Sequence, residues 1–317
     1  MCEYLVLTGP TAVGKTATLF ALQDLVKKPL EIISSDAFQV YKGLDLGTAK
    51  PDLELRAHIP HHLIDVCAIN EQFSVAVFVK AACQLIAEIR NRGSIPVVCG
   101  GTVFYIKHLL WGLPETPIVD TALRLEIAAE LKRIGSVELH RQLSAIDPPS
   151  ALNINPADTY RICRALEVWR SSGRRLSSFA RVDSVPTSKA LLIGIGRNRA
   201  KLVENIGKRV DSMMAAGLFD EVAGLVAQGY SITDPGMQAI GYREFMEAGI
   251  VHGFSFSEKE LLNISDAIKI HTRQYAKRQM TFLRSLPVQH WVEADETKQL
   301  ASDIYTLATQ YGDDLLT

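Results

Sequence analysis

The chain has 317 residues, of which 47% are hydrophobic and 22% charged, a composition typical of a soluble globular protein of about two domains. Lys plus Arg number 34 against 35 Asp plus Glu, so the net charge of -1 excludes a protein that is basic throughout, although a local basic face for nucleic acid remains open. No apolar run approaches the ~18 residues of a membrane helix, the start does not resemble a signal peptide, and five cysteines without a C-x-x-C pair predict a reduced, cytoplasmic protein without a cysteine zinc site.

Short apolar runs alternate with helical patterns at the start of the chain and return near residue 190. Buried strands are predicted at residues 4–8, 31–34, 95–99, 190–195 and 288–292, and helices at residues 14–27, 75–92, 199–228, 236–249 and 258–285. This alternation predicts an α/β fold in which a parallel sheet is flanked by helices. Residues 119–185 contain helical stretches and no convincing strand, so we predict an all-helical insertion between core segments 1–118 and 186–317.

The first predicted strand runs into a loop that matches the phosphate-loop pattern G-x-x-x-x-G-K-[ST] in full. Its residues are Gly9, Pro10, Thr11, Ala12, Val13, Gly14, Lys15 and Thr16. A strand before the loop and a helix after it are the context in which backbone N–H groups bind phosphate, so the α/β fold is predicted to be of the P-loop NTPase-like type. We predict a phosphate or diphosphate site, with Lys15 at the terminal phosphate and Thr16 as a magnesium ligand. The motif alone leaves open a nucleoside-triphosphate enzyme, a small-molecule kinase or a diphosphate-handling transferase.

Polar residues follow the next strands, at the edge where the carboxyl ends of parallel strands line a ligand crevice. Asp36 is a candidate general base, and a magnesium ligand or a helix cap is the alternative. Thr102 is a candidate for a substrate hydrogen bond or, equally, for a helix cap. His61-His62 look like a metal pair, but adjacent residues do not converge on one ion, so structural hydrogen bonding is predicted.

In chain order, these motifs and several others resemble those of the tRNA dimethylallyltransferases, also called tRNA isopentenyltransferases. The motifs span about residue 4 to residue 285 and are Gly9 to Thr16; Asp36 with Gln39 to Gly43; Asp45 with Gly47 to Pro51; Pro60 to Asp65; Gly100-Gly101-Thr102 with Tyr105; Asp147-Pro148; Asp158, Arg161 and Arg164 to Val168; Met237 to Arg243; and Thr272 to Gln279. A phosphate loop alone is generic, whereas its combination with the Asp36, Gly-Gly-Thr and Thr-Arg-Gln segments is specific to this family.

The resemblance implies a reaction. A five-carbon dimethylallyl group moves from its diphosphate to the exocyclic N6 of the adenosine on the 3′ side of the anticodon, in tRNAs that read codons starting with U. Diphosphate is released and Mg2+ assists. By the same resemblance Asp36 is the catalytic base, Thr102 contacts the target adenosine, and Arg164 lies near the diphosphate with Lys15 and Thr16. A base suits this chemistry because the lone pair of an exocyclic amine is delocalised into the ring.

The implied partners are dimethylallyl diphosphate and a tRNA anticodon stem-loop, whose target base leaves its stack to be modified. No membrane and no obligate protein partner are expected, and relatives suggest a monomer. The residues that match tRNA-contacting regions of the family are Asp36, Ala37, Phe38, Gln39, Thr102, Arg124, Tyr160, Arg161, Arg164, Ala239, Gly241, Tyr242, Arg243, Arg273, Lys277 and Arg278. Basic segments at residues 161–175 and 269–284 support RNA binding, with an ordinary solvated face as the alternative.

Four residues at three places in the chain depart from the family pattern. Ala37-Phe38 stand where relatives usually have Ser-Met or Ser-Ala, Asn205 where they often have Arg, and Phe282 where many have Trp. The chain lacks the Cys/His zinc element of eukaryotic relatives, which predicts a bacterial-type enzyme. The alternatives are an adenylate isopentenyltransferase acting on AMP, ADP or ATP, a P-loop small-molecule kinase, and a non-catalytic RNA-binding module. The first would not need a helical insertion, and the intact phosphate loop with Asp36 argues against the last.

Overall fold

The computed structural model describes residues 3–114, 116–117, 119–179, 190–251, 253, 255–293 and 296–311. Its internal contacts divide the chain into two units, Met1–Leu110 with Pro186–Thr317, and Trp111–Val185. Both predicted limits of the insertion, after residue 118 and after residue 185, fall on residues outside the described ranges and stay a prediction. In the described residues, no helix is both long enough and apolar enough to cross a membrane.

The larger unit is built on a six-stranded sheet in which all strands are parallel. The strands are β1 (Tyr4–Thr8), β2 (Leu30–Ser34), β3 (His61–His62), β4 (Ile95–Gly100), β5 (Ala190–Gly196) and β6 (His290–Glu293), in the order β3-β2-β4-β1-β5-β6. Val6 pairs with Val98 on one side and with Leu192 on the other. Every residue of β1, β2 and β4 is buried, as expected for strands covered by helices on both faces. The predicted α/β fold of the P-loop NTPase-like type is confirmed.

Twelve helices are present in the described residues. They are α1 (Lys15–Gln23), α2 (Leu53–His58), α3 (Val75–Asn91), α4 (Val103–Trp111), α5 (Thr121–Ile146), α6 (Pro148–Asn153), α7 (Thr159–Ser172), α8 (Arg199–Ala215), α9 (Leu218–Ala227), α10 (Arg243–Glu247), α11 (Glu258–Arg284) and α12 (Thr297–Tyr311). Three predicted helices differ from this. Residues 199–228 are two helices because Gly217, with φ of 96°, caps α9 in a left-handed conformation. The first helix ends at Gln23, and residues 236–249 contain only α10 and a short 3-10 turn.

Each unit has its own apolar interior. In the larger unit, one cluster packs α1 and α12 on the sheet, and another joins the segment after β2 to α8, α9, α10 and α11. The smaller unit contains only helices α5 to α7 and a 3-10 turn among its described residues, packed around Ile127, Leu139, Leu143, Ile162 and Leu166. Thus the insertion has a core of its own and does not depend on the sheet for one.

Candidate active site

The phosphate loop joins β1 to α1 and is held in shape by close packing. A Cβ on Gly9 would lie 2.6 Å from the carbonyl oxygen of Ile195, so only glycine lets the loop pass β5 this closely. Ala12 and Gly14 have positive φ angles of 61° and 106°, which turn the loop. Val13 is fully buried in the core and anchors it. The loop therefore has the glycine geometry that an anion-binding loop requires.

The ammonium group of Lys15 lies against the phosphate loop itself. Its Nζ donates hydrogen bonds to the carbonyl oxygens of Gly9 and Pro10, each at 2.9 Å. Burial lowers the pKa of Lys15 to about 8; Cys99 and Asp36 oppose this shift, and the guanidinium of Arg209 adds to it. Contact of Lys15 with a phosphate stays a prediction.

Asp36 follows β2 and caps a turn of its own segment. Its Oδ1 accepts hydrogen bonds from the backbone N–H groups of Phe38 at 2.9 Å and Gln39 at 3.3 Å. In the part of the chain that the structure describes, the hydrogen bonds of Asp36 all use Oδ1. The carboxylate is thus fixed by one oxygen, and a role of Oδ2 as a proton acceptor stays a prediction.

Thr102 follows β4 and is bonded to the residues on either side of Asp36. Its Oγ1 accepts from Ala37 N–H at 3.0 Å, and its own N–H donates to Ser35 O at 3.1 Å. Gly100 permits this approach, because a Cβ there would lie 2.1 Å from the Ser35 carbonyl oxygen. The ends of β2 and β4 therefore bring two predicted site residues into one arrangement.

Asp36 lines a cavity of about 290 Å³ that draws its walls from several segments. The predicted site residues in its lining are Thr11, Asp36, Phe38, Ala239, Arg243 and Arg278. Among the lining residues that had not been predicted as site residues, Arg209, Thr272 and Tyr275 carry polar groups suited to a binding site. A larger cavity of about 870 Å³ shares Arg209 but contains neither Asp36 nor a phosphate-loop residue, so size alone does not locate the site.

Helix α8 contacts the phosphate loop through two side chains one turn apart. Arg209 Nη1 donates to Thr11 Oγ1, and Asn205 Nδ2 donates to the Ala12 carbonyl oxygen, both at 3.3 Å. Burial lowers the pKa of Arg209, which the negative charge of Asp36 counteracts. Arg209 had not been predicted as a site residue, although its position four residues after Asn205 puts it on the same helix face. It supplies the cation that the Asn205 departure had placed in doubt.

Helix α11 brings an aromatic ring and a cation to the cavity. Burial raises the pKa of the Tyr275 phenol, and the charge of Asp36 raises it further, so the phenol is neutral. Arg278 also lines the cavity. Lys269 is paired with Asp211 at 2.7 Å, whereas in the described residues no carboxylate pairs with Arg273, Lys277 or Arg278. Of the cations in this basic segment, Lys269 is therefore already neutralised by a neighbouring carboxylate.

Three residues predicted to contact tRNA, Ala239, Gly241 and Tyr242, are buried. Ala239 is 2% exposed and Tyr242 is 0% exposed. The Tyr242 hydroxyl donates to Glu221 and accepts from Gly47 N–H at 3.1 Å. Burial beside Glu221 also raises the pKa of this phenol. The prediction that the Tyr242 side chain contacts tRNA is corrected, because the ring is part of the core and holds the loop that contains Gly47.

Gly241 and Arg243, on either side of Tyr242, make polar contacts within the protein. Gly241 has φ of 100°, and its N–H donates to Glu244 Oε2 at 2.7 Å. Arg243 lines the cavity and pairs with Glu247 at 3.3 Å. Gln39, also predicted to contact tRNA, is bonded within the protein, since its amide nitrogen donates to the Thr48 carbonyl oxygen at 3.2 Å.

Within the insertion, most of the predicted RNA-binding cations already have partners. The ion pairs are Arg124 and Arg164 with Glu167, Arg161 with Asp158, and Arg170 with Glu126 and Glu130. Arg164 Nη2 also donates to Thr116 Oγ1 at 3.0 Å. Tyr160 is 80% exposed. This face is less cationic than its arginine count suggests, and the contact of Arg164 with diphosphate stays a prediction.

The adjacent histidines make the structural hydrogen bonds expected of them. His61 Nδ1 lies 2.6 Å from the Ile59 carbonyl oxygen, and His62 Nε2 lies 2.8 Å from Glu31 Oε2. Glu31 also binds Arg92, and this hydrogen bond, followed by that of His62, holds the pKa of Glu31 at about 2 against the effect of burial. The two rings therefore fix the edge of the sheet.

The chain is similar to proteins of one family. A family model described as IPP transferase matches residues 39–286. A tRNA dimethylallyltransferase of Acidovorax ebreus (strain TPSY) is 43% identical over 302 residues, which cover 92% of this chain and 91% of that protein. A tRNA dimethylallyltransferase of Geobacter metallireducens is 41% identical over 290 residues and covers 91% of both chains.

Solved structures of tRNA isopentenyl- and dimethylallyltransferases are also similar to this chain. The full-length tRNA isopentenylpyrophosphate transferase of Bacillus halodurans has a TM-score of 0.68 and 34% identity, covering 98% of this chain and 97% of its own. A eukaryotic dimethylallyltransferase acting on tRNA shares the fold, with a TM-score of 0.77 at 24% identity, over 98% of this chain and 78% of its own. Since the family model and the relatives each match most of its length, the chain belongs to the IPP transferase family, the tRNA dimethylallyltransferases, which are prenyl-transferring enzymes.

Proposed function

We propose that this chain transfers the dimethylallyl group of dimethylallyl diphosphate to N6 of the adenosine on the 3′ side of the anticodon, in tRNAs that read codons starting with U. The observation that carries the proposal is the cavity in which Asp36, Arg209 and Thr11 of the phosphate loop meet. A carboxylate and an anion-binding loop on one cavity suit a reaction in which an amine attacks and a diphosphate leaves. The names of the relatives support the same reaction.

In the proposed reaction, the N6 lone pair forms a bond to the allylic carbon while the bond from that carbon to the diphosphate oxygen breaks. The bonding electrons leave with the diphosphate, and Asp36 takes the proton that N6 loses. The turn that fixes Asp36 through Oδ1 favours this role, because it orients Oδ2 without using it. Negative charge then develops on the diphosphate, where Lys15, Arg209 and the amides of the loop would stabilise it.

The residues present fit magnesium that is carried largely by the diphosphate. No group of three or more His, Cys, Asp or Glu side chains in the described residues forms a metal site, whereas the exposed Thr16 follows Lys15 in the first turn of α1. Mg2+ in phosphate sites keeps several waters and takes few protein ligands besides phosphate oxygens. Thr16 would hold the ion, which when bound neutralises charge on the diphosphate.

The cavity also suits a base removed from its stack. Phe38 and Tyr275 give it aromatic surface on which a base can stack. Thr102 Oγ1 accepts from Ala37 N–H and also hydrogen-bonds the Tyr275 hydroxyl, so a contact of Thr102 with the adenosine would replace its bond to Tyr275. Phe38 is one of the two departures beside Asp36, and we infer that its ring replaces contacts made by the usual aliphatic residue.

We further propose that α11 contacts the phosphates of the anticodon stem-loop with Arg273, Lys277 and Arg278. We also propose that the chain acts as a monomer and that it works in the cytoplasm, where its tRNA substrate is found. Arg273 is half-buried, and Lys277 and Arg278 are exposed. Cations without an acidic partner are the ones that can exchange counterions for phosphates. The exposed ring of Tyr160 and the paired arginines of the insertion are assigned a secondary part in this contact.

The test is transfer of label from dimethylallyl diphosphate in the presence of Mg2+. The acceptors are an anticodon stem-loop that carries adenosine after the anticodon and, in parallel, free AMP. Label on the stem-loop alone is expected. Label on AMP alone would favour the adenylate isopentenyltransferases, and label on neither would refute prenyl transfer. Labelled ATP in place of the isoprenoid would reveal a kinase by phosphate transfer.

A further inference from the structure

Gln279 is a buried side chain of α11 that joins two loops of the active site. Its Oε1 accepts a hydrogen bond from Thr11 N–H at 2.9 Å, and its Nε2 donates to the Gly101 carbonyl oxygen at 2.8 Å. The residue is 4% exposed. Both ends of the amide are therefore satisfied by protein groups that lie on separate segments of the chain, and the side chain also hydrogen-bonds the Tyr275 hydroxyl one turn away on α11.

The two loops that Gln279 joins follow neighbouring strands. Thr11 lies after β1 and Gly101 after β4, and these strands pair in parallel up to Thr8 and Gly100. A Cβ on Gly101 would lie 2.2 Å from Gln279 Nε2, so glycine at this position is required for the contact. The length of the glutamine side chain thus sets the spacing of the two loops.

The second loop leads directly to the proposed base. Gly101 precedes Thr102, whose hydroxyl accepts from Ala37 N–H, next to Asp36. We propose that Gln279 is a positioning residue that holds the phosphate loop and the Asp36 segment in register, so that the reacting atoms of the two substrates meet. This inference rests on the proposed function and adds to it a residue that contacts neither substrate.

A positioning role predicts a particular pattern of kinetic effects. Thr11 N–H is bonded to Gln279, so the diphosphate is held by other amides of the loop, and its affinity should depend little on Gln279. A displacement of one loop against the other by ~1 Å can lower a rate by about 10²-fold. We therefore expect kcat to fall while binding of pyrophosphate is kept.

Two variants and a matched control test this. Gln279→Met keeps the length of the side chain and removes both hydrogen bonds. Gln279→Asn keeps the amide but is one methylene shorter, so that it cannot span both loops. Gln310→Met makes the same chemical change at an exposed glutamine of α12. The measurements are kcat and both KM values with the stem-loop, the Kd of pyrophosphate, and the folded fraction of each protein.

Wild-type transfer to the stem-loop is measured first. Its absence would refute the proposed function and not the link that Gln279 makes between the two loops. With transfer present, each Gln279 variant is expected to lower kcat per folded molecule by about 10- to 100-fold, with the pyrophosphate Kd within about threefold of wild type. A kcat within twofold of Gln310→Met, or a loss that only follows the folded fraction, would overturn the positioning role. Gln279→Asn carries the test alone if the methionine variant does not fold.

Discussion

At the scale of single residues, the hydrogen bonds that hold the Asp36 turn can be kept in a variant that has lost the ability of Asp36 to accept a proton. Asn at this position keeps the oxygen that accepts from Phe38 and Gln39 N–H but cannot take a proton. Asp36→Asn is therefore expected to lower kcat by about 10²- to 10⁴-fold with an unchanged melting temperature, as measured by transfer to the stem-loop and by thermal denaturation. Asp24→Asn, an exposed change at the end of α1, is the control. An Asp36→Asn enzyme with full activity would remove Asp36 as the base.

Lys15 gives a pH dependence whose sign follows from its lowered pKa of about 8. Only the protonated ammonium attracts an anion, so pyrophosphate affinity should be complete below pH 8 and fall as the pH rises through about 8. Above that value we expect the Kd to rise by about tenfold per pH unit. Lys15→Arg stays charged, so the ratio of wild-type to variant affinity removes the titration of the ligand itself. A ratio that is constant from pH 7 to 9.5 would contradict the prediction.

Residue types alone did not reveal which side chains are free. Tyr242 stands in a family motif and was predicted to contact tRNA, yet it is buried against Gly47 and bonded to Glu221. Arg170 was counted in a basic segment, but Glu130, on a different helix, neutralises it at 2.7 Å. Such pairing depends on how helices pack, and it is therefore invisible in the local sequence. By contrast, Lys15, Asp36 and Thr102 could be located, since strand ends and glycine loops are local patterns.

At the scale of elements, α8 holds the cation that the sequence did not indicate. Arg209→Gln should raise the KM for dimethylallyl diphosphate and the Kd of pyrophosphate by about 10- to 100-fold, because a hydrogen bond to a charged group is worth about 1.5–3 kcal/mol. Lys208→Gln removes an exposed charge that pairs with Glu204 on the same helix and is the matched control. Equal effects of the two changes would show that only net charge matters. Arg209→Lys should be intermediate, since it keeps the charge without the fork.

Helix α11 gives a prediction about salt. Each of Arg273→Gln and Lys277→Gln should lower the slope of log Kd against log salt for the stem-loop by about 0.7–0.9, because each removes one phosphate contact. Lys269→Gln is the control on the same helix: Lys269 already pairs with Asp211 at 2.7 Å, so the slope should change less. Binding measured by fluorescence anisotropy at several salt concentrations tests both. An unchanged slope in Lys277→Gln would place the RNA on another surface.

The boundaries of elements show where sequence patterns suffice. The strand at residues 4–8 was predicted with its observed ends, because a short apolar run bounded by a glycine loop allows few alternatives. α8 and α9 were predicted as one helix, since Ala216-Gly217 interrupts the apolar spacing too briefly to be recognised. α12 was missed, although Leu300, Ile304 and Ala308 follow helical spacing.

At the scale of the whole molecule, the two units should respond separately to damage in one core. Leu143 is fully buried in the insertion, and Leu143→Ala should destabilise the protein by about 2–5 kcal/mol. Transfer to the stem-loop should fall, while the Kd of pyrophosphate stays unchanged because the phosphate loop belongs to the other unit. Leu152→Ala, at a residue that is 88% exposed, is the control. Loss of pyrophosphate binding in parallel with unfolding of the insertion would show either that the units do not fold separately or that Arg164 of the insertion contributes to diphosphate binding.

More of the architecture than of the site could be predicted from the sequence. Alternating strands and helices indicated the parallel sheet, and the β-poor block indicated a helical insertion. The order of strands in the sheet was not predictable, because β1 pairs with β4 and β5, which are distant in sequence. Arg209, Tyr275 and Gln279 reach the site only through that order and the packing of α8 and α11, so their roles could not be read from local patterns.

The strand order also has a consequence for folding during translation. β1 has one neighbour, β4, that precedes the insertion and another, β5, that follows it. As the chain leaves the ribosome, the first strand keeps one open edge until Gly196 has emerged, and Gly9 lacks its contact with Ile195 for the same time. The anion-binding loop thus reaches its final surroundings only after the whole insertion has been translated.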